Sequence, residues 1–155
     1  DKDFGMAFAK SQIGSGSKIP TEGSVFVSVK DSDKDKILNP VSDLFSLGFD
    51  IYATDGTAKF LNNNNIQTKK INKVLQGSPH IVEMISEKKI SLVLNTTETP
   101  QAIKDSKSIR RSALESETPY YTTVSGANAA VMAIKAIKNN EMSIKTIQSF
   151  GQSLS

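Results

Sequence analysis

The sequence predicts an α/β fold, a doubly wound, five-stranded, mainly parallel sheet with helices on both faces. Two observations carry that expectation. Five short β-branched or aromatic runs are each followed or preceded by a segment with helical apolar spacing, so strands alternate with helices five times. Runs such as SVFVSV are apolar at adjacent positions, which suits strands covered on both faces.

Taken in order, residues 3–12 place Phe4, Ala7 and Phe8 at i, i+3 and i+4, a helical stripe. The stretch IGSGSKIPTEG reads as a linker; its GSGS lacks the spacing of a phosphate loop, and its lysine is followed by Ile19. The chain therefore divides into 1–22, a tail and linker, and 23–155, a single domain. SVFVSV (24–29) is the first strand. Val41, Leu44 and Phe45 then mark a helix stopped at Gly48, with Asn39 expected as its N-cap and Pro40 as its first residue.

FDIYAT (49–54) is the second strand and TAKFLNN a short helix, with the asparagines at 62–65 read as a loop. IQTKKI (66–71) reads as an edge strand whose lysines discourage further pairing. Residues 78–89 form a helix opened by Ser78-Pro79, and ISLVLNT (90–96) a central strand. The next helix carries Ala102, Ile109, Ala113 and Leu114 at its apolar positions. PYYTTV is the last strand, and a helix rich in small residues follows.

Composition narrows the chemistry. The 155 residues contain no cysteine, which removes disulfides, thiolate metal sites and cysteine nucleophiles. A net charge of +3 is a mild basic lean, too small to argue for nucleic acid. No apolar run approaches a membrane span, and the start, DKDFGMAFAKSQ, lacks both an initiating methionine and a signal pattern, so the chain reads as cut from something longer.

Ligands of open α/β sheets bind beyond the carboxyl ends of the strands. Those positions hold Lys30 to Lys34, Thr54-Asp55-Gly56-Thr57, Asn72-Lys73, Thr96-Thr97, and Thr122, Thr123, Ser125 and Gly126. Each taken singly is an ordinary cap. Five such segments on one rim, with two lysines, suit a phosphate. Asp55-Gly56 reads as a turn, His80 as a hydrogen-bonded residue in the first turn of a helix, and Arg110-Arg111 as a solvated face. No metal-ligand spacing occurs.

VSVKDSDK, GFDIYATDGTAKFL, INKVLQGSPHIVEMI, LVLNTT, IRRSAL and PYYTTVSGANAAV, in this order, resemble the C-terminal allosteric domain of the carbamoyl phosphate synthetase large chain, a methylglyoxal-synthase-like, Rossmann-like domain. Residues 1–22 resemble the tail of the preceding ATP-grasp region. The resemblance implies a regulatory domain that binds a nucleotide monophosphate effector, UMP or IMP, and contributes to an ornithine seam. It implies Lys34, Thr54, Gly56, Thr57, Lys73, Asn95, Thr97 and Asp105 as effector-binding residues and Thr122 at the seam.

The whole enzyme so implied is a cytoplasmic ligase. It makes carbamoyl phosphate from bicarbonate, ATP and glutamine or ammonia for pyrimidine and arginine biosynthesis, using Mg2+ and K+, with ATP-grasp domains and a small glutaminase subunit as partners. The resemblance implies no cofactor, catalytic residue or metal in this segment, and no nucleic acid or membrane partner. One departure stands out. Where bacterial members read NTTSGRR, this chain reads NTTETPQ, so Pro100 and Gln101 replace two arginines and Glu98 adds an acid. Losing two bidentate donors predicts weaker nucleotide binding or a different effector. The alternative, a methylglyoxal-synthase-type lyase acting on dihydroxyacetone phosphate, requires an aspartate where His80 stands.

Overall fold

The computed structural model describes residues 19–72, 80–97 and 100–154, without the side chains of Gln101, Asp105 and 141–154. The expected helix at 3–12, the GSGS linker, Lys73, the Ser78-Pro79 helix start and Glu98 lie outside the described residues.

Strands β1 (Ser24–Ser28), β2 (Asp50–Ala53), β3 (Thr68–Lys70), β4 (Leu92–Asn95) and β5 (Tyr120–Tyr121) form one sheet in the order β3-β2-β1-β4-β5, and every pairing is parallel. β1 occupies the centre because its run Val25-Phe26-Val27 is apolar on both faces. The helices are α1 (Lys34–Ser46), α2 (Asp55–Asn63), α3 (Ile81–Ser86), α4 (Pro100–Glu115) and α5 (Val124–Leu154), with a 3-10 turn at Asp31–Asp33 before α1.

The two-residue alternation of side chains along a strand sorts the core into two layers. Val25 and Val27, with Ile51, Leu92 and Leu94, pack beneath Ile37, Val41 and Leu44 of α1, Leu61 of α2 and Val131 and Ile134 of α5. Phe26 and Val93 face the other way, against Ile81 and Ile85 of α3 and Ile109 and Ala113 of α4. The doubly wound architecture expected from the sequence is present, and the sheet is wholly parallel.

Local differences have physical reasons. Pro40 does not begin a helix: it lies buried inside α1, and Asn39 is helical rather than a cap. Ile37, Val41 and Leu44 fall at i, i+4 and i+7, and burying that continuous stripe outweighs the one backbone hydrogen bond that proline forfeits. Asp55-Gly56 is no turn; the two open α2 directly after the extended N-cap Thr54. Their helical placement puts the aspartate in the first turn, where the helix dipole favours an anion.

The asparagine run is split, with Asn62 and Asn63 ending α2 and Asn65 taking the left-handed conformation at φ 65°. Asn62 binds both the N–H and the carbonyl of Thr68, tying the helix end to β3. His80 is the N-cap of α3 rather than a first-turn residue, and the helix is shorter than 78–89. Leu114, expected on the apolar stripe of α4, is 79% exposed, one position beyond the buried Ala113.

Phe26 is fully buried at the centre of the sheet. Phe26→Ala is expected to destabilise the fold by about 3–5 kcal/mol, read as a lower urea midpoint at an unchanged slope.

Candidate ligand-binding cleft

A wholly parallel sheet delivers every strand's carboxyl end to one edge. From β1 the chain moves to β2 and β3 on one side and returns to β4 and β5 on the other, so the crevice of the switch point opens between β1 and β4. A cleft of about 270 Å³ lies there. Its walls come from the ends of β1, β2 and β4, the first turns of α1 and α2, and one face of α4.

The β1–β2 wall is built by hydroxyls that join separate segments. Thr54 and Ser28 hydroxyls are 3.1 Å apart, and Thr57 Oγ1 accepts the Val29 N–H at 3.3 Å. Thr54 caps α2 through its backbone, whose carbonyl accepts the Ala58 N–H at 2.7 Å, and makes no side-chain cap. The amides of Asp55, Gly56 and Thr57 precede that first intrahelical bond and face out of the helix start, the arrangement that receives anions.

Lys34 reaches the same place from α1. A Cβ added to Gly56 would stand 3.5 Å from the Lys34 ammonium, so the cation rests over the first turn of α2. The lysine side chain is 22% exposed and bonds Asp31 Oδ1 at 2.6 Å. That hydrogen bond, and then the lysine charge, hold the Asp31 carboxyl below its ordinary range. Asp55, on the outer side of the turn, is likewise lowered, first by the hydrogen bond from Lys59, then by the charges of Lys59 and Lys70 at 3.4 and 3.6 Å.

The β1–β4 wall is held by Thr96, whose Oγ1 accepts from Lys30 N at 3.0 Å while its own N–H donates to Ser28 O at 2.9 Å. Asn95, nearly buried, donates through Nδ2 to Ser106 Oγ and to the Tyr120 hydroxyl. Thr97 completes this side.

Six residues singled out in the sequence, Lys34, Thr54, Gly56, Thr57, Asn95 and Thr97, thus line one cleft. Lys73 is outside the described residues, and Asp105 is placed only by its backbone on α4, beside Ser106. Thr122 is exposed at the end of β5 and is not part of the cleft wall. Pro100 and Gln101 open α4, immediately before the cleft residue Ala102.

Ser28, Ala102, Ser106 and Ile109 also line the cleft without having been singled out for it. The α4 trio falls at i, i+4 and i+7, a helical face legible once one member is known. Ser28 was hidden because it ends β1 instead of following it. His80 lies elsewhere: its Nδ1 accepts the Glu83 N–H at 3.4 Å, and its Nε2 is 3.2 Å from the Glu83 carboxylate, a structural cap. No group of three or more metal-ligating residues, and no helix long and apolar enough to cross a membrane, occurs among the described residues.

This three-layer α/β fold is that of a domain class that comparison identifies. The MGS-like domain family matches residues 36–122, more than half of the chain, and the chain belongs to that family. More particularly, it is 48% identical over 153 residues to the carbamoyl phosphate synthase large chain of Brucella suis, covering 99% of this chain and 13% of that protein. The large chain of Rhizobium meliloti is 48% identical over 150 residues, and that of Methanobrevibacter smithii 47% over 147. The chain spans about 13% of the length of the first of these curated relatives. A methylglyoxal synthase structure from Elizabethkingia anophelis superposes with a TM-score of 0.59 over 74% of this chain and 80% of its own, at 18% identity, which establishes the shared fold.

Asp31 competes with any incoming anion for Lys34. Asp31→Asn is expected to tighten inorganic phosphate binding roughly two- to fivefold, a modest gain because the exposed pair is screened by water, as read by titration calorimetry at low salt. Because the folded-state pKa of Asp31 is depressed, the pair is fully formed above about pH 4 and is lost as the pH falls through the lower folded value. The effect of the substitution should therefore vanish in strong acid.

Proposed function

We propose that the cleft is an effector site for a phosphate-bearing small molecule, a nucleoside monophosphate of the UMP or IMP kind, and that the chain is the regulatory domain of a carbamoyl phosphate synthase large chain. The observation that carries the reading is the Lys34 ammonium beside the first turn of α2, at the switch point of a parallel sheet. An ammonium charge, first-turn amides and hydroxyls are the donors a phosphate takes. The similarity to large chains along nearly the whole sequence supports the assignment to that enzyme.

On this reading Lys73 and Asp105 join the effector site, and Thr122 belongs to an ornithine seam against a neighbouring ATP-grasp domain. The whole enzyme would form carbamoyl phosphate from bicarbonate, ATP and glutamine or ammonia in the cytoplasm, with Mg2+ and K+ and a small glutaminase subunit, for pyrimidine and arginine synthesis. Regulation then requires the effector to favour one placement of this domain over another, a coupling of typically about 1–3 kcal/mol. Pro100 and Gln101, neutral where the family this sequence resembles carries arginines, leave Lys30, Lys34 and the start of α2 as the anion-attracting groups described at the cleft.

Calorimetric titration of the chain with UMP, IMP and inorganic phosphate tests the reading. Binding at micromolar to sub-millimolar ligand is expected, weakened about tenfold or more by Lys34→Ala, which corresponds to roughly 1.4 kcal/mol. Binding untouched by that substitution would move the site elsewhere. No methylglyoxal is expected from dihydroxyacetone phosphate, and its formation would establish the lyase instead.

A further inference from the structure

The cleft has two chemically unlike ends, and the second is fixed by a series of hydrogen bonds that starts in α4. Ser106 Oγ donates to the carbonyl oxygen of Ala102, one turn earlier, at 2.7 Å. A hydroxyl has one proton, so in its other contact, the 2.9 Å approach of Asn95 Nδ2, the same oxygen accepts. Nδ2 also lies 2.8 Å from the Tyr120 hydroxyl oxygen. Both amide protons of Asn95 are thereby engaged. Turning the carboxamide over would take the Ser106 proton away from Ala102. Which way an amide faces is ordinarily ambiguous; here the Ser106 hydrogen bond to the Ala102 carbonyl favours the orientation with Nδ2 toward Ser106 and Tyr120.

Asn95 is 3% exposed and lines the cleft; with Nδ2 committed to Ser106 and Tyr120, its carbonyl oxygen remains for a ligand. We infer that Ser106 and Tyr120 are positioning residues that hold Asn95 with its carbonyl oxygen toward the cleft, so that the β4–α4 end accepts a hydrogen bond from the non-phosphate part of the ligand. This deepens the phosphate reading above and rests on it. A carbonyl oxygen repels a phosphate oxygen, so the anion belongs at the other end, over the α2 start. The group that meets Asn95 carries an N–H or O–H, either a nucleobase imide or a sugar hydroxyl. A ligand presenting only acceptors there is rejected, because a buried acceptor set against an acceptor is left unpaired.

Two measurements on the whole chain test this. In the ligand-free protein, the Asn95 carboxamide protons should exchange at least tenfold more slowly than those of the exposed Asn63, and should lose that protection in Ser106→Ala combined with Tyr120→Phe. Calorimetry with inorganic phosphate, ribose 5-phosphate and UMP then reads the ligand side. Ser106→Ala, a helix-favouring change that does not threaten folding, should weaken UMP at least fivefold and leave inorganic phosphate within twofold.

Ribose 5-phosphate weakened in parallel with UMP assigns the donor to a sugar hydroxyl; UMP weakened alone assigns it to the base. Equal weakening of phosphate and UMP, or no change in either, overturns the positioning role. Fast carboxamide exchange in the wild type also overturns it. A wild type with a protected Asn95 that binds none of the three probes overturns the phosphate reading, and with it the ligand assigned here, while the amide orientation stands.

Discussion

The constraint on which the rest of this structure depends is the position of β1. It is paired on both edges and buried on both faces, and its register sets Val27 beside Ala53 of β2 and Ser28 beside Asn95 of β4. Three strands therefore end within one residue of one another at one edge. Across the gap the Thr54 and Ser28 hydroxyls bond, Thr57 Oγ1 accepts the Val29 N–H, and Thr96 Oγ1 accepts the Lys30 N–H. A slip of one residue in β1 would exchange the Val25–Val27 face for the Phe26 face and scatter those hydroxyls.

The hydroxyls do two things at once. Thr57 and Thr96 satisfy the amides of Val29 and Lys30, which leave the sheet and would otherwise be unpaired near the core. In doing so they fix the walls of the cleft. Thr54 bonds Ser28 and leaves the side-chain cap of α2 unmade, so the amides at the helix start stay available to an anion. The same residues thus hold the scaffold together and line the cleft.

Charge is arranged less simply. Lys34 rests against the helix start but is shared with Asp31, an exposed carboxylate brought within reach by the 3-10 turn that precedes α1. Such a pair stabilises little, since water screens it. Its consequence is local: it moderates the positive field at the mouth of the cleft and makes the lysine a group that must be won from a competitor. Asp55 similarly moderates Lys59 and Lys70 on the outer side.

By itself the sequence determined the alternation of strands and helices and pointed to Lys34, Thr54, Gly56, Thr57 and Thr97 on the rim, because apolar period and position after a strand are local properties; Asn95, which ends β4, was named only through the family resemblance. Pro40 and Asp55-Gly56 were misread for the same reason. Their local preferences were those of a helix start and a turn, and only burial of the Ile37–Val41–Leu44 stripe and the cap at Thr54 overrode them. Ser28, Ser106 and Tyr120 carry no local mark at all. The direction of the Asn95 amide depended on tertiary structure, because it rests on a hydroxyl, a phenol and a helix carbonyl that meet in space while the hydroxyl and phenol lie 11 and 25 residues from Asn95.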